Sequence, residues 1–466
     1  MSEKRRAVGT NCASHPDIFG NRFRVLTDDL LRHILFFLPA NEAVQTCMLG
    51  QRWRNLWKTA LGLRIVCGGE NEPESVKEIQ VFMYHLLLLR GDPPLETCVI
   101  CLNDVEYDEM LCVNLWIRHV LLRNVRFLSL KPYMDESLLF EVNNVPIASQ
   151  RLIRLELSFI QFNNSFLDFS RCPALEVLEI SFSSFSGCNR ISSESLKSLT
   201  IRSSSFRMRH RTRVYTPNLV SLLLEVGSCR APLLQRMPSL VNAILELSNS
   251  DMDRCFNSNP GDCSDKNCIS CYEIDGDARN SVILQGLSEA EDLVLISDTG
   301  SFIFRRDLNR APIFSNLKRL ILNEYWCVSI DLIADLTPLS YMLQHSPILE
   351  KLTLQLFCKG INNKVEIIGN PDSTGAPAVT SHLKIVKVQC EVFDNIVGQV
   401  SVFGKDKCKS QGRRRRQTLF VMPLDTNDVP YTGTSLQGGR VYICDLGLGG
   451  SPVAIVRLDK PHCRFG

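Results

Sequence analysis

Cysteine and arginine are the residue types with which this sequence could bind an ion or a charged ligand. Residues 248–286 hold Cys255, Cys263, Cys268 and Cys271, and four thiolates suit tetrahedral zinc. Only Cys268 and Cys271 have the C-x-x-C spacing, and no histidine lies nearby. We therefore favour ordinary loop thiols, with a zinc-dependent enzyme as the alternative, and expect neither a metal nor another cofactor.

A basic segment, IRSSSFRMRHRTRVY, is the second candidate. Guanidinium groups bind phosphate and carboxylate well, so Arg207, Arg209 and Arg211 are candidates for contacting a phosphorylated or acidic target. The alternative is a solvated loop. A further run, KDKCKSQGRRRR at residues 405–416, indicates either a nuclear import signal or a linker.

Motifs for catalysis are not found in the sequence. It contains no phosphate-binding P-loop, no G-x-S-x-G elbow and no H-E-x-x-H pair. We therefore expect a protein that binds other proteins and has no catalytic residues of its own.

Length and composition limit the class of protein. The chain has 466 residues, more than one compact core usually holds, with 45% hydrophobic and 22% charged residues. A net charge of +2 gives no general attraction to nucleic acid or to a membrane surface, and we expect neither as a partner. No secretory signal or spanning segment is visible, so we expect the protein in the nucleus and/or the cytoplasm, with its 19 cysteines mostly reduced.

Residues 26–65 predict three short helices. Thr27, Asp28 and Asp29 suit a helix start, where amide groups lack partners and the helix dipole is positive. An apolar stripe follows and ends at Pro39; its members are Leu30, Leu31, Ile34, Leu35 and Leu38. A second helix would carry Ala43, Val44 and Cys47, and a third Trp53, Leu56 and Trp57. So small a unit needs a partner, or the rest of the chain, to cover its apolar surface.

This segment resembles the F-box of plant proteins that also carry leucine-rich repeats. The matching residues are Leu26, Asp28-Asp29-Leu30-Leu31, Ile34-Leu35, Phe37-Leu38-Pro39, Ala43-Val44, Cys47 and Arg52-Trp53-Arg54-Asn55-Leu56-Trp57. In that family the helices bind a Skp-type adaptor, which links them to cullin and RING subunits. Thr27 stands where the family has a proline that contacts the adaptor, so the resemblance implies reduced affinity.

The resemblance also implies which residues bind the adaptor. They are Leu26, Asp28, Leu30, Leu31, Ile34, Leu35, Leu38, Pro39, Val44, Trp53, Leu56 and Trp57. The alternative is a small helical cap that merely closes one end of the repeat array.

A different period governs the rest of the chain. The pattern apolar-x-x-apolar-x-apolar recurs ten times, starting at Val125, Leu152, Leu175, Leu196, Leu219, Leu240, Ala290, Leu317, Leu349 and Leu383. Its spacings are 27, 23, 21, 23, 21, 50, 27, 32 and 34 residues, mostly near those of leucine-rich repeats. We predict about ten irregular βα repeats forming a curved parallel sheet.

Side chains alternate along a strand, so one residue of each repeat should face the concave surface. These residues are Ser129, Glu156, Glu179, Thr200, Leu223, Ile244, Val294, Ile321, Thr353 and Lys387. The row is apolar in the middle, and we predict that Leu223, Ile244, Val294 and Ile321 bind a target. The alternatives are that such residues simply favour strands, or that a loop covers them.

The asparagine that usually caps each repeat is missing from its expected place. Those positions hold Ile160, Ser183, Ser204, Gly227, Ser248, Asp298, Tyr325 and Phe357. Serine or aspartate could satisfy some of the buried amides, so we expect uneven curvature.

The predicted fold class is α/β, an irregular leucine-rich-repeat solenoid preceded by a three-helix F-box. We expect a flexible N-terminus at 1–21, the F-box at 22–65, and the solenoid at 66–400 with the Cys-rich insertion 248–286. Residues 401–466 match nothing in the family, and the hypothesis for them is an atypical, partly disordered tail. The resemblance implies the substrate-recognition subunit of a cullin-RING ubiquitin ligase; the alternative is a repeat scaffold without a ligase role.

Overall fold

The structure is a computed structural model, and its described residues cover most of the predicted repeats. They are 25–68, 75–90, 95–134, 138–142, 147–163, 166–206, 211–227, 229–247, 281–297, 304, 307–308, 311–323, 337–356, 382–392, 415–423, 440–444 and 453–457. The predicted N-terminus 1–21 lies outside them, as do the four cysteines of the insertion.

Five α-helices and twenty-one strands are described. The helices are α1 (Asp28–Phe37), α2 (Ala40–Gln45), α3 (Val76–Leu89), α4 (Met110–Leu122) and α5 (Thr337–Gln344). The first strands are β1 (Gly62–Cys67), β2 (Thr97–Leu102), β3 (Phe127–Pro132), β4 (Phe140–Glu141), β5 (Arg154–Ser158), β6 (Ile160–Gln161), β7 (Phe166–Asp168), β8 (Val177–Ser181), β9 (Arg190–Ser192), β10 (Ser198–Ser204) and β11 (Arg213–Tyr215). The others are β12 (Ser221–Val226), β13 (Leu233–Leu234), β14 (Asn242–Leu247), β15 (Asp292–Ser297), β16 (Arg319–Asn323), β17 (Lys351–Leu356), β18 (Ile385–Val392), β19 (Arg415–Pro423), β20 (Arg440–Cys444) and β21 (Val453–Arg457).

One large sheet dominates the molecule. Thirteen of the described strands form it in the order β1-β2-β3-β5-β8-β10-β12-β14-β15-β16-β17-β18-β19. Its neighbouring strands are parallel except for β18 and β19, which are antiparallel. All ten strands predicted from the repeat pattern are present and follow one another in sequence order. This α/β architecture is consistent with a leucine-rich-repeat solenoid.

Two strands of the sheet were missed by the sequence analysis. β1 and β2 precede the first predicted repeat, and β1 crosses the predicted domain boundary between residues 65 and 66. The same apolar pattern was available in ALGLRI, from Ala60, and in LETCVI, from Leu95. Small residues replaced leucine in both, and the first segment had already been assigned to the helical unit.

The prediction of βα repeats throughout is wrong for the middle of the array. There the return segments are the short strands β7, β9, β11 and β13, which form a second parallel sheet. These repeats are only 21 to 23 residues long, which leaves no room for a helix of several turns once a strand and two turns are formed. Helices occur where repeats are longer, as with α3, α4 and α5.

Serine takes over the capping role in the middle repeats, as the sequence analysis allowed. The amide of Ile160 donates to Ser183 Oγ at 3.1 Å, and the amide of Ser183 donates to Ser204 Oγ at 3.2 Å. Asn323, which the sequence analysis missed, accepts from the amide of Ser297 at 3.1 Å and donates back to its carbonyl. Ser248, Asp298, Tyr325 and Phe357 lie outside the described residues.

Stacked rings reinforce the same repeats. Phe162, Phe185 and Phe206 are buried, and their ring centroids are 4.9 and 4.8 Å apart in nearly parallel planes. The buried side chains form one continuous core from Leu31 in α1 to Leu354 in β17. Each repeat therefore depends on its neighbours for burial.

The predicted third helix of the N-terminal unit is not an α-helix. After α1 and α2 the chain forms a 3-10 helix at Thr46–Leu49, turns, and a second 3-10 helix at Leu56–Thr59.

In the tail, β19 joins the large sheet and β20 pairs with β21. The rest of residues 401–466 lies outside the described residues, so the expected disorder remains a prediction.

Candidate binding surfaces

The start of α1 is built as its sequence predicts. Thr27 is the N-cap, with its Oγ1 accepting from the amide of Leu30 at 3.4 Å, and Asp28 and Asp29 occupy the first turn. The φ angle of Thr27 is −68°, within the range that proline adopts. Threonine at this position therefore keeps a backbone φ compatible with the proline of the resembling family.

The apolar stripe of α1 divides into an inner and an outer face. Leu31 and Leu35 are buried, together with Trp53, Leu56 and Trp57 from the following turns. All five belong to the continuous core, and α1 packs against β1, where a side chain on Gly62 would clash with the ring of Phe36. In this structure these five predicted adaptor contacts hold the N-terminal unit on the sheet and do not reach the surface.

The outer side of this unit carries apolar side chains that the described part of the chain leaves exposed. Leu30 and Ile34 are 50% and 38% exposed, and Phe37 is 61% exposed. Met48, which the sequence predicted on the second helix, is 86% exposed and Leu49 is 63% exposed; neither was predicted to contact the adaptor. The other predicted apolar contacts, Leu26, Leu38, Pro39 and Val44, are partly buried. Leu30, Ile34 and Phe37 share one side of α1, while Met48 and Leu49 lie on the 3-10 helix Thr46–Leu49.

Polar contacts fix this unit in place. Asp28, predicted to bind the adaptor, accepts from Arg52 Nε at 2.7 Å, and Arg52 also donates to the carbonyl of Leu26. Arg90, which follows α3, is buried and donates to the carbonyls of Trp57 and Ala60. Burial lowers the pKa of Arg90 to about 10, so it stays charged at neutral pH. Arg90 therefore ties the N-terminal unit to the first helix of the repeat array.

The second candidate surface is the exposed face of the large sheet. Leu223, Ile244, Val294 and Ile321 are direct register partners on β12, β14, β15 and β16. Ile244 is 40% exposed and the other three are partly exposed. With strands about 4.8 Å apart, the four side chains form an apolar row about 14 Å long. The predicted row is therefore present, and its target-binding role remains a prediction.

Charged residues precede this apolar row along the sheet. Glu156 and Glu179 are register partners, and Arg154 donates to both at 2.9 and 2.7 Å. Ser129 Oγ also donates to Glu156 at 3.1 Å. Both carboxylates are therefore held by neighbouring side chains. The same row of register partners continues from Ser129 to Val99 on β2 and Arg64 on β1.

The basic segment is only partly described. Arg211 is 4% exposed and donates to the carbonyl of Ala231 at 2.8 Å, so it cannot contact a target in this conformation. Arg207 and Arg209 lie outside the described residues.

Among the residues that the structure describes, no cluster of three or more potential metal ligands occurs. No described helix is long and apolar enough to cross a membrane.

Comparisons with known proteins agree with this architecture. No family model matches the chain. An F-box/FBD/LRR-repeat protein of Arabidopsis thaliana is 26% identical over 64% of this chain and 71% of its own length. An FBD-associated F-box protein of the same plant is 23% identical over 82% of this chain and 81% of its own, and F-box/LRR-repeat protein 13 is 25% identical over 64% and 70%. Over most of its length the chain is thus similar to F-box/LRR-repeat and FBD-associated F-box proteins of Arabidopsis thaliana.

Proposed function

We propose that this protein is the substrate-recognition subunit of an SCF-type cullin-RING ubiquitin ligase. Its N-terminal unit, which resembles an F-box, would bind a Skp-type adaptor and through it the cullin and RING subunits. The observation that carries the proposal is the exposure of Leu30, Ile34 and Phe37 along one side of α1, in a segment that resembles an F-box. The relatives named for F-box and leucine-rich repeats support it.

Buried and exposed residues of α1 have different roles in the proposal. The buried residues Leu31, Leu35 and Trp57 attach the unit to the sheet, while Leu30 and Ile34 remain available on the same helix. Apolar surface left in water is unfavourable by about 25 cal/mol per Å², so covering it with an adaptor would be favourable. The rigid attachment would fix the distance between adaptor and target.

The target would bind on the exposed face of the large sheet. The apolar row of Leu223, Ile244, Val294 and Ile321 is contiguous across four strands, which supports its use as a binding surface. The protein itself would perform no chemistry. Its contribution would be to raise the effective concentration of the target near the ubiquitin-charged enzyme, in the nucleus and/or the cytoplasm.

Adaptor binding is the first step to test. We expect the purified full chain to capture a Skp-type adaptor, and the double variant Leu30→Asp, Ile34→Asp to lose at least about 90% of it, because two carboxylates would be desolvated in the interface. Both residues are exposed, so the variant should fold, which circular dichroism would check.

The matched control is Phe166→Asp, which places the same charge on an apolar residue that is 64% exposed on β7. It should capture the adaptor like the unaltered chain. Failure of the folded, unaltered chain to bind any Skp-type adaptor would reject the proposal and favour the repeat scaffold without a ligase role.

A further inference from the structure

One ionisable side chain lies among the apolar residues on the exposed side of α1. His33 is exposed, three residues after Leu30 and four before Phe37, so the three side chains project from the same side of the helix. Its ring meets the ring of Phe37 nearly at right angles, with the two centroids 5.2 Å apart. The resemblance to an F-box assigns His33 no role.

A partner that covers this side of α1 also covers His33. Leu30 and Phe37 are two helical turns apart, which is about 10 Å along the helix axis, and His33 lies between them. The ring of Phe36 stacks against His33 as well, with centroids 6.0 Å apart. An adaptor in contact with Leu30 and Phe37 would therefore remove water from the imidazole.

The two carboxylates of α1 are already paired with arginines. Asp29, one turn before His33, accepts from Arg32 Nη1 at 2.7 Å. Asp28 accepts from Arg52 Nε at 2.7 Å. The helix thus offers no unshared carboxylate to accompany a charged imidazole into an interface.

Positive charge predominates on the elements around α1. Lys58 belongs to the 3-10 helix Leu56–Thr59 and lies over the ring of Trp57, and Arg64 is exposed on β1. Arg54 is exposed in the turn before that 3-10 helix, and Glu42 is exposed in the first turn of α2. An excess of basic neighbours disfavours a further positive charge on His33.

We propose that His33 is a further contact residue of the adaptor interface and is bound there as the neutral imidazole. Removing a charged imidazolium from water is unfavourable, so protonation of His33 opposes docking. By linkage, adaptor affinity falls as the pH is lowered through the range in which histidine gains its proton. This inference rests on the proposed function, to which it adds a contact residue and a pH dependence.

The test measures the dissociation constant of the full chain and a purified Skp-type adaptor at two pH values. Biolayer interferometry at fixed ionic strength should give a constant at least about fivefold higher at about pH 5.5 than at about pH 8. In His33→Phe, which keeps an aromatic ring but takes up no proton, the ratio should fall below about twofold. His33→Gln, which is polar but not ionisable, should lower the ratio in the same way.

His85→Phe is the matched control, because His85 is an exposed histidine of α3. It should keep the pH dependence of the unaltered chain, including any part that comes from the adaptor itself. Circular dichroism at both pH values would check that each variant remains folded.

The outcomes separate this inference from the proposed function. Adaptor binding with equal affinity at both pH values, or a pH dependence that both His33 variants retain, would overturn the inference and leave the proposed function standing. Tighter binding at about pH 5.5 that His33→Phe removes would show a charged imidazolium contact and would also overturn it. Absence of adaptor binding at either pH would reject the proposed function, and the inference with it.

Discussion

Single residues decide how the N-terminal unit is attached to the repeats. Nothing in the sequence around Arg90 indicates that this residue is buried and donates to the carbonyls of Trp57 and Ala60. Sequence likewise groups Leu30 with Leu31, since both belong to one apolar stripe. Only the packing of α1 on β1 separates the buried residue from the exposed one.

Removing the Arg90 guanidinium should weaken the junction between the N-terminal unit and α3. Arg90→Leu should lower the free energy of unfolding by about 1–3 kcal/mol, because two carbonyls at the junction lose a charged donor. Thermal or chemical denaturation of the full chain would measure the change.

Arg126→Leu is the matched control. Arg126 is an exposed arginine paired with Glu96 at 3.2 Å, and its replacement should cost about 0–1 kcal/mol. Equal effects of the two substitutions would show that Arg90 does not stabilise the junction.

Among the elements, the strands of the large sheet were predictable and their return segments were not. Each strand carries several apolar residues at fixed spacing, so the segments LEVLEI and LKSLTI predict β8 and β10. The return strands β7, β9 and β11 contain only three residues each, too few for a recognisable period. The short repeat lengths were the signal that excluded helices there.

The serine ladder gives a prediction for these elements. Ser183→Ala should destabilise the middle repeats by about 1–3 kcal/mol, because the buried amide of Ile160 loses its acceptor and the carbonyl of Ser181 loses a donor. Hydrogen exchange should show the loss of protection concentrated at Ile160 and its neighbours.

Ser186→Ala is the control, since Ser186 is exposed and its hydroxyl accepts only a surface bond from Gln161. That substitution should change stability by no more than about 0.5 kcal/mol. A Ser183→Ala variant as stable as this control would show that the ladder is not needed for the repeat.

For the whole molecule, the structure joins two predicted modules into one packed unit. The core runs without interruption from α1 through the sheet, so the exposed side of α1 and the apolar row on the sheet are held by the same set of buried side chains. The sequence predicted both modules but placed their boundary inside β1. It also gave the apolar row in its correct register, since alternation along each strand determines which side chains share a face.

The central claim is that this protein brings a target to a cullin-RING ligase, and recovery of the cullin tests it most directly. The tagged full chain would be purified from plant cells beside the folded double variant Leu30→Asp, Ile34→Asp and the control Phe166→Asp. If the proposed ligase role is right, cullin and RING subunits will accompany the unaltered chain and the control. The double variant will lose both. Recovery of no cullin with the intact, folded chain, or equal recovery with the double variant, would contradict it.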